Sequence, residues 1–180
     1  IMFKPPYWFY KNIQFPEEQI RDVIQQIKVV NKELIVRDEF LLSSYFFKYH
    51  QRPDKIWADT YKEIMEGVVR QIGMYTTTQY VFEYWSQLYY RNVGHRPHQH
   101  SQPELTTHGE ISWVHFLQTP KEKNFTFLDH DGQVFIPEEQ NDGDIICFPS
   151  YLWHQVLPNK SNTQRFVVAG NTAFIHLDEN

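Results

Sequence analysis

Cysteine is almost missing from this chain, with Cys147 the single one among 180 residues. An intramolecular disulfide is therefore excluded, and the composition fits a reducing, cytoplasmic-type compartment. Cys147 stands in the apolar run Asp144-Ile145-Ile146-Cys147-Phe148, a context that predicts a buried small hydrophobe and not a nucleophile. No apolar run approaches the ~20 residues needed to span a bilayer. The opening Ile-Met-Phe-Lys-Pro-Pro lacks the charged and apolar blocks of a secretory signal. A basic surplus is missing too: Lys+Arg 17 against Asp+Glu 22 leaves a formal net charge of -5. That balance gives no general attraction to nucleic acid or to an anionic membrane, so polyanion binding is disfavoured. There is no internal repeat and no low-complexity linker.

What is present is aromatic. Phe 14, Tyr 11 and Trp 5 raise the aromatic content to 17%, which suits packing between sheets. The length allows one well-developed core and not two comfortable domains. Residues 1–79 read as helical support. Pro16, with Glu17 and Glu18 behind it, opens a pattern of Ile20, Ile24, Ile27, Val30 and Leu34 at spacings of three and four. A second helix is expected from about Asp54 to Met74, striped by Trp57, Tyr61, Ile64, Val68 and Ile72 and stopped near Gly73. The segment Phe40 to Tyr49 between them carries no clear pattern.

From Tyr80 the period changes. Short aromatic or β-branched runs cover Val81 to Tyr90, Ile111 to Leu117, Asn124 to Leu128, Gln133 to Pro137, Asp144 to Phe148, His154 to Leu157 and Arg165 to His176. Turn signals such as Asp131-Gly132, Asn141-Asp142-Gly143 and Pro158-Asn159 separate them. Strands so closely spaced leave no room for crossover helices, so residues 80–180 are expected to form a sandwich or barrel. The economical reading is a mainly β single domain, a jelly roll or double-stranded β-helix of cupin type, preceded by helices.

The chemistry-bearing residues lie in this half. In Pro97-His98-Gln99-His100 two histidines two positions apart on an extended segment project to one side. A third histidine from a distant strand could complete one face of a metal's shell, and neutral imidazole suits iron, zinc, copper or nickel. His154, in Phe148-Pro149-Ser150-Tyr151-Leu152-Trp153-His154, and then Arg165 follow in order. Nine histidines make one clustered pair unremarkable; the ordered set with His154 and Arg165 is what points to a site. His95 and His108 read as solvated loop residues within reach of a substrate, His115 as an interior or pocket-lining residue, and Trp113 and Trp153 as core.

This order of features resembles the iron(II) and 2-oxoglutarate dependent oxygenases, over about Tyr89 to Asn171. The small bacterial and phage members with a His-x-His motif are the most similar in pattern, through Pro97 to His100, Ile111 to Leu117, Gly143 to Ser150 and the Phe-Pro-Ser-x-x-x-His ending at His154. The resemblance implies His98 as first ligand, His154 as distal ligand, and Arg165 as partner of the cosubstrate's far carboxylate. A planar guanidinium suits that role through two parallel hydrogen bonds. It also implies Tyr90 as a cosubstrate-binding tyrosine, with Tyr89 the alternative register, and Asn171 at a position where relatives often carry Asn. The implied cofactors are Fe(II), 2-oxoglutarate as cosubstrate, and dioxygen, the implied partner is a small-molecule or peptide substrate, and no catalytic residue is needed beyond the metal ligands.

One departure stands out. Such sites commonly use two histidines and one carboxylate, and the carboxylate's place, two residues after the first histidine, is held here by His100. Either His98, His100 and His154 form the set, or Glu110 or Glu104 substitutes for His100. A cupin-like protein binding zinc or nickel with the same histidines, and a metal-free structural jelly roll, are the rival readings. They differ from an oxygenase in giving Arg165 no necessary place beside His154.

Overall fold

In the computed structural model, residues 2–31, 41–45, 47–71, 78–100 and 109–176 are described. Helix α1 spans Glu17–Val30 and ends on Asn31, whose backbone and side-chain N–H groups both donate to the Ile27 carbonyl. Its buried stripe is Val23, Ile24 and Ile27; Val30 faces solvent instead of joining it, and Leu34 lies outside the described residues. A short 3-10 piece, Pro53–Trp57, leads into α2, Ala58–Gln71, which buries Tyr61, Met65, Val68 and Val69. The expected end of this helix at residues 72–74 is outside the described residues.

Among the described residues, ten strands form two antiparallel sheets: β1 Trp8–Tyr10, β2 Leu42–Ser43, β3 Thr78–Tyr89, β4 His95–His98, β5 Gly109–Gln118, β6 Phe125–Leu128, β7 Val134–Phe135, β8 Ile145–Pro149, β9 Trp153–Val156 and β10 Arg165–His176. The larger sheet runs β1-β8-β5-β10-β3-β2 and the smaller β4-β9-β6-β7. This is the mainly β jelly roll with N-terminal helices. Residues 1–79 are more than helical support, because β1 pairs with β8 and β2 with β3 inside the larger sheet.

Strand alternation gives the larger sheet two unlike faces. Outward-facing Trp113, Leu117, Tyr84, Leu88, Phe166, Val168 and Cys147 pack under the helices with Trp57, Tyr61 and Met65. The Trp57 ring stacks on Phe15 with centroids 4.6 Å apart. His115 shares this face and is the satisfied interior residue, hydrogen-bonded to the Ile13 carbonyl through Nε2 at 2.7 Å and to the Tyr61 hydroxyl through Nδ1 at 2.8 Å. Because the carbonyl only accepts, Nε2 carries the proton and Tyr61 donates to Nδ1. Burial pushes this imidazole down to about 4.

The other face meets the smaller sheet through Tyr89, Val114, Phe116, Phe125, Phe127, Ile146, Phe148, Val156 and Val167. Gly170, in mid-β10, lets Trp113 cross the strand: a Cβ there would stand 2.2 Å from the indole Cζ2. On β9, Trp153 is 46% exposed, correcting its expected place in the core, since alternation turns it outward when His154 turns in.

Candidate metal centre

The β4–β9 pairing creates the centre. His98 and His154 are direct cross-strand partners, with ring centroids 4.2 Å apart. His100 lies two residues beyond His98, where its backbone N–H donates to the Ser150 carbonyl at 2.9 Å. One ring nitrogen from each of the three lies within 4.8 Å of the others, close enough to hold one metal ion.

Tautomers follow from the hydrogen bonds. Nδ1 of His98 donates to the Arg96 carbonyl at 2.8 Å, and Nδ1 of His154 donates to the Leu152 carbonyl at 2.9 Å. Both rings are thereby left with a bare Nε2 lone pair, the form a metal takes up. Burial also holds the rings neutral: His100 is pushed down to about 4, His98 is lowered, and His154 is held well below the ordinary imidazole range, with repulsion from its neighbours adding to burial. The rings of Phe125 and Phe148 pack against His154 at centroid distances of 5.7 and 4.9 Å.

Across the interior, Arg165 opens β10 opposite Tyr89 on β3. It is 2% exposed, its guanidinium carbon 4.7 Å from the Tyr89 ring centre and 5.6 Å from that of Phe116. The nearby Tyr89 hydroxyl eases the charge against the cost of burial. Even so, neither Nη1 nor Nη2 is in hydrogen-bonding geometry with a protein group among the described residues. A buried cation with two empty donors is costly unless an anion completes it.

Arg165 and the three histidines line one narrow cavity, which leaves about 40 Å³ for the centres of water-sized atoms. Tyr89 lines it and Tyr90 does not; the Tyr90 ring instead lies 5.8 Å from Lys28 Nζ. Of the two registers left open for the tyrosine, Tyr89 is the one that faces the cavity, because Gln87, Tyr89 and Trp85 share the inward parity of β3. The Tyr89 hydroxyl donates to Gln87 Oε1 at 2.9 Å. Asn171 accepts from Ser112 Oγ at 2.8 Å, and Ser112 accepts in turn from Ser150.

Of the alternative carboxylates, Glu110 is not in the cluster. Glu110 lies on β5, where burial and the neighbouring Glu83 raise its carboxyl, and it is not grouped with the histidines. Glu104 and His108 fall outside the described residues. His95, read from sequence as a solvated loop residue, lines the cavity with its ring centroid 4.1 Å from that of His98. Its odd spacing from His98 and His100 concealed this; the irregular pairing between His95 and His98 turns it inward.

Residues 83–171, just under half the chain, match the family described as putative 2OG-Fe(II) oxygenase. Among solved structures, a Pseudomonas putida prolyl-4-hydroxylase is similar at 14% identity and TM-score 0.64, covering 95% of this chain and 92% of that one. The 2OG complex of a viral collagen prolyl hydroxylase from Paramecium Bursaria Chlorella virus-1 is similar at 17% identity and TM-score 0.54, covering 95% and 96%. The carbocyclase SnoK from nogalamycin biosynthesis is similar at 11% identity and TM-score 0.63, covering 93% and 79%. No curated protein sequence matches. These likenesses establish a shared double-stranded β-helix fold. No helix among the described residues is long and apolar enough to cross a membrane.

Proposed function

We propose that this chain, similar over residues 83–171 to the putative 2OG-Fe(II) oxygenases, is an iron(II)- and 2-oxoglutarate-dependent dioxygenase that hydroxylates a carbon of an amino-acyl side chain or small molecule. The observation that carries the reading is the pair of unpartnered Arg165 donors in the same cavity as the three histidines. A binding protein that needed only a metal would gain nothing from a buried cation there. A dicarboxylate cosubstrate uses both ends of the cavity.

His98 and His154 would hold iron through Nε2, with His100 as third ligand, and the backbone carbonyls behind His98 and His154 would fix ring orientation. Iron(II), when bound, supplies open positions for cosubstrate and dioxygen and couples loss of carbon dioxide from 2-oxoglutarate to C–H oxidation. Arg165 would hold the far carboxylate through its two unpartnered terminal nitrogens. Phe125, Phe148, Val114, Val156 and Val167 keep the cavity dry, which strengthens that charge pairing. No side chain is required to move a proton. The described chain acts as one oxygenase domain, since β1 and β2 complete the larger sheet.

Purified protein given iron(II), ascorbate, dioxygen and 2-oxoglutarate is expected to release succinate slowly without a primary substrate. His154→Ala is expected to abolish it. Equal release from both proteins, or none from iron-loaded wild type, would overturn the reading in favour of a cupin-like metal binder.

A further inference from the structure

We propose that His95 is a cosubstrate-binding residue, its imidazole hydrogen-bonding an oxygen of 2-oxoglutarate between the metal ligands and Arg165; this rests on the oxygenase reading above. His95 opens β4 and packs against His98, with ring centroids 4.1 Å apart and planes tilted by 31°. It shares the cavity wall with His98, His154 and Arg165. It does not belong to the group whose nitrogens converge on one point. It is therefore beside the metal position without being part of it.

Hydrogen-bond accounting isolates it further. His98 and His154 each spend Nδ1–H on a backbone carbonyl. Ser112 is used by Ser150 and Asn171, and Gln87 Oε1 by the Tyr89 hydroxyl. Among the described residues neither nitrogen of His95 has a protein hydrogen-bond partner. Arg165 and the Trp113 indole N–H of the same wall also lack partners, which leaves His95 as the unpartnered imidazole outside the ligand set. A 2-oxo dicarboxylate held at one end by Arg165 and at the other by metal would lie in the cavity whose wall His95 shares. A neutral imidazole offers one N–H donor there, and the keto and carboxylate oxygens of the ligand are acceptors.

The test is calorimetric, with oxygen excluded. 2-Oxoglutarate is titrated into Mn(II)-loaded wild type, His95→Phe and His95→Asn, and Mn(II) affinity is measured separately for each. Phenylalanine keeps a ring to stack on His98 and removes both nitrogens, whereas asparagine restores a donor without the ring. Loss of one hydrogen bond is expected to raise the 2-oxoglutarate Kd about five- to tenfold in His95→Phe, with partial recovery in His95→Asn and an unchanged Mn(II) Kd. Equal 2-oxoglutarate affinity in wild type and His95→Phe overturns the proposal and leaves the oxygenase reading standing. Mn(II) affinity that falls in His95→Phe also overturns it, making His95 a metal ligand or a prop for His98. Wild type that takes Mn(II) but not 2-oxoglutarate fails the oxygenase reading itself, and that failure is visible before any variant is compared.

Discussion

His115 and Arg165 are both buried, both basic and both carried by the larger sheet, yet they stand on opposite faces in opposite condition. Under the helices, His115 has each ring nitrogen matched by a protein group. Between the sheets, Arg165 has two donors matched by none among the described residues. Folding satisfies His115 by itself. Arg165 is satisfied only by something that binds, so the same strand alternation yields one interior for stability and one for chemistry.

The largest test of this division is Trp57→Ala, which removes the indole stacked on Phe15 under the helices. It is expected to cost about 3–5 kcal/mol of stability, read by denaturant unfolding, and to leave metal affinity of the folded protein unchanged. A metal affinity that falls in step would join the two faces into one unit.

Arg165→Met should act in reverse. It removes a charge-assisted pairing expected to contribute about 1.5–3 kcal/mol, so 2-oxoglutarate binding to metal-loaded protein weakens by at least tenfold in calorimetry. Ligand-free stability should hold or rise, because an unpaired buried cation gives way to an apolar chain. A drop in ligand-free Tm would mean that Arg165 is structural.

Tyr61→Phe is the smallest substitution, deleting the hydroxyl that donates to His115 Nδ1 at a cost of about 1 kcal/mol. A pH series sharpens it. His115 is pushed down to about 4 in the fold from the ordinary 6.5, so the unfolded chain binds more protons between those values. Its contribution to stability is present above pH 6.5 and is lost as pH falls toward 4. Replacing it, in His115→Gln, should flatten that part of the metal-free stability curve, as measured by urea midpoints across pH. An unchanged slope would assign the acid loss to the other lowered histidines.

Much of this was legible because it is local. Alternation over Ile111 to Leu117 separates Trp113 from Val114, and the order of His98, His100, His154 and Arg165 marks residues that one cavity brings together. What was not legible depends on distant pairing. β1 and β2 are three and two residues long, too short for any period, and exist because Cys147 and Leu88 offer strand partners far along the chain. Choosing Tyr89 over Tyr90 needed the register with Arg165, since a shift of one residue exchanges the faces of a strand. His95 was hidden by an irregularity that strict alternation does not foresee.

Cys147 adds a practical consequence. Its thiol lies on the helix-covered face of β8, fully buried beside Trp113, and burial raises its pKa far above the usual thiol range. As the sole thiol of the chain, it can meet a modifying reagent only when the helices lift from the sheet. The rate at which it is alkylated is thus a built-in clock for the opening of one face, readable by mass without touching the chemistry of the other.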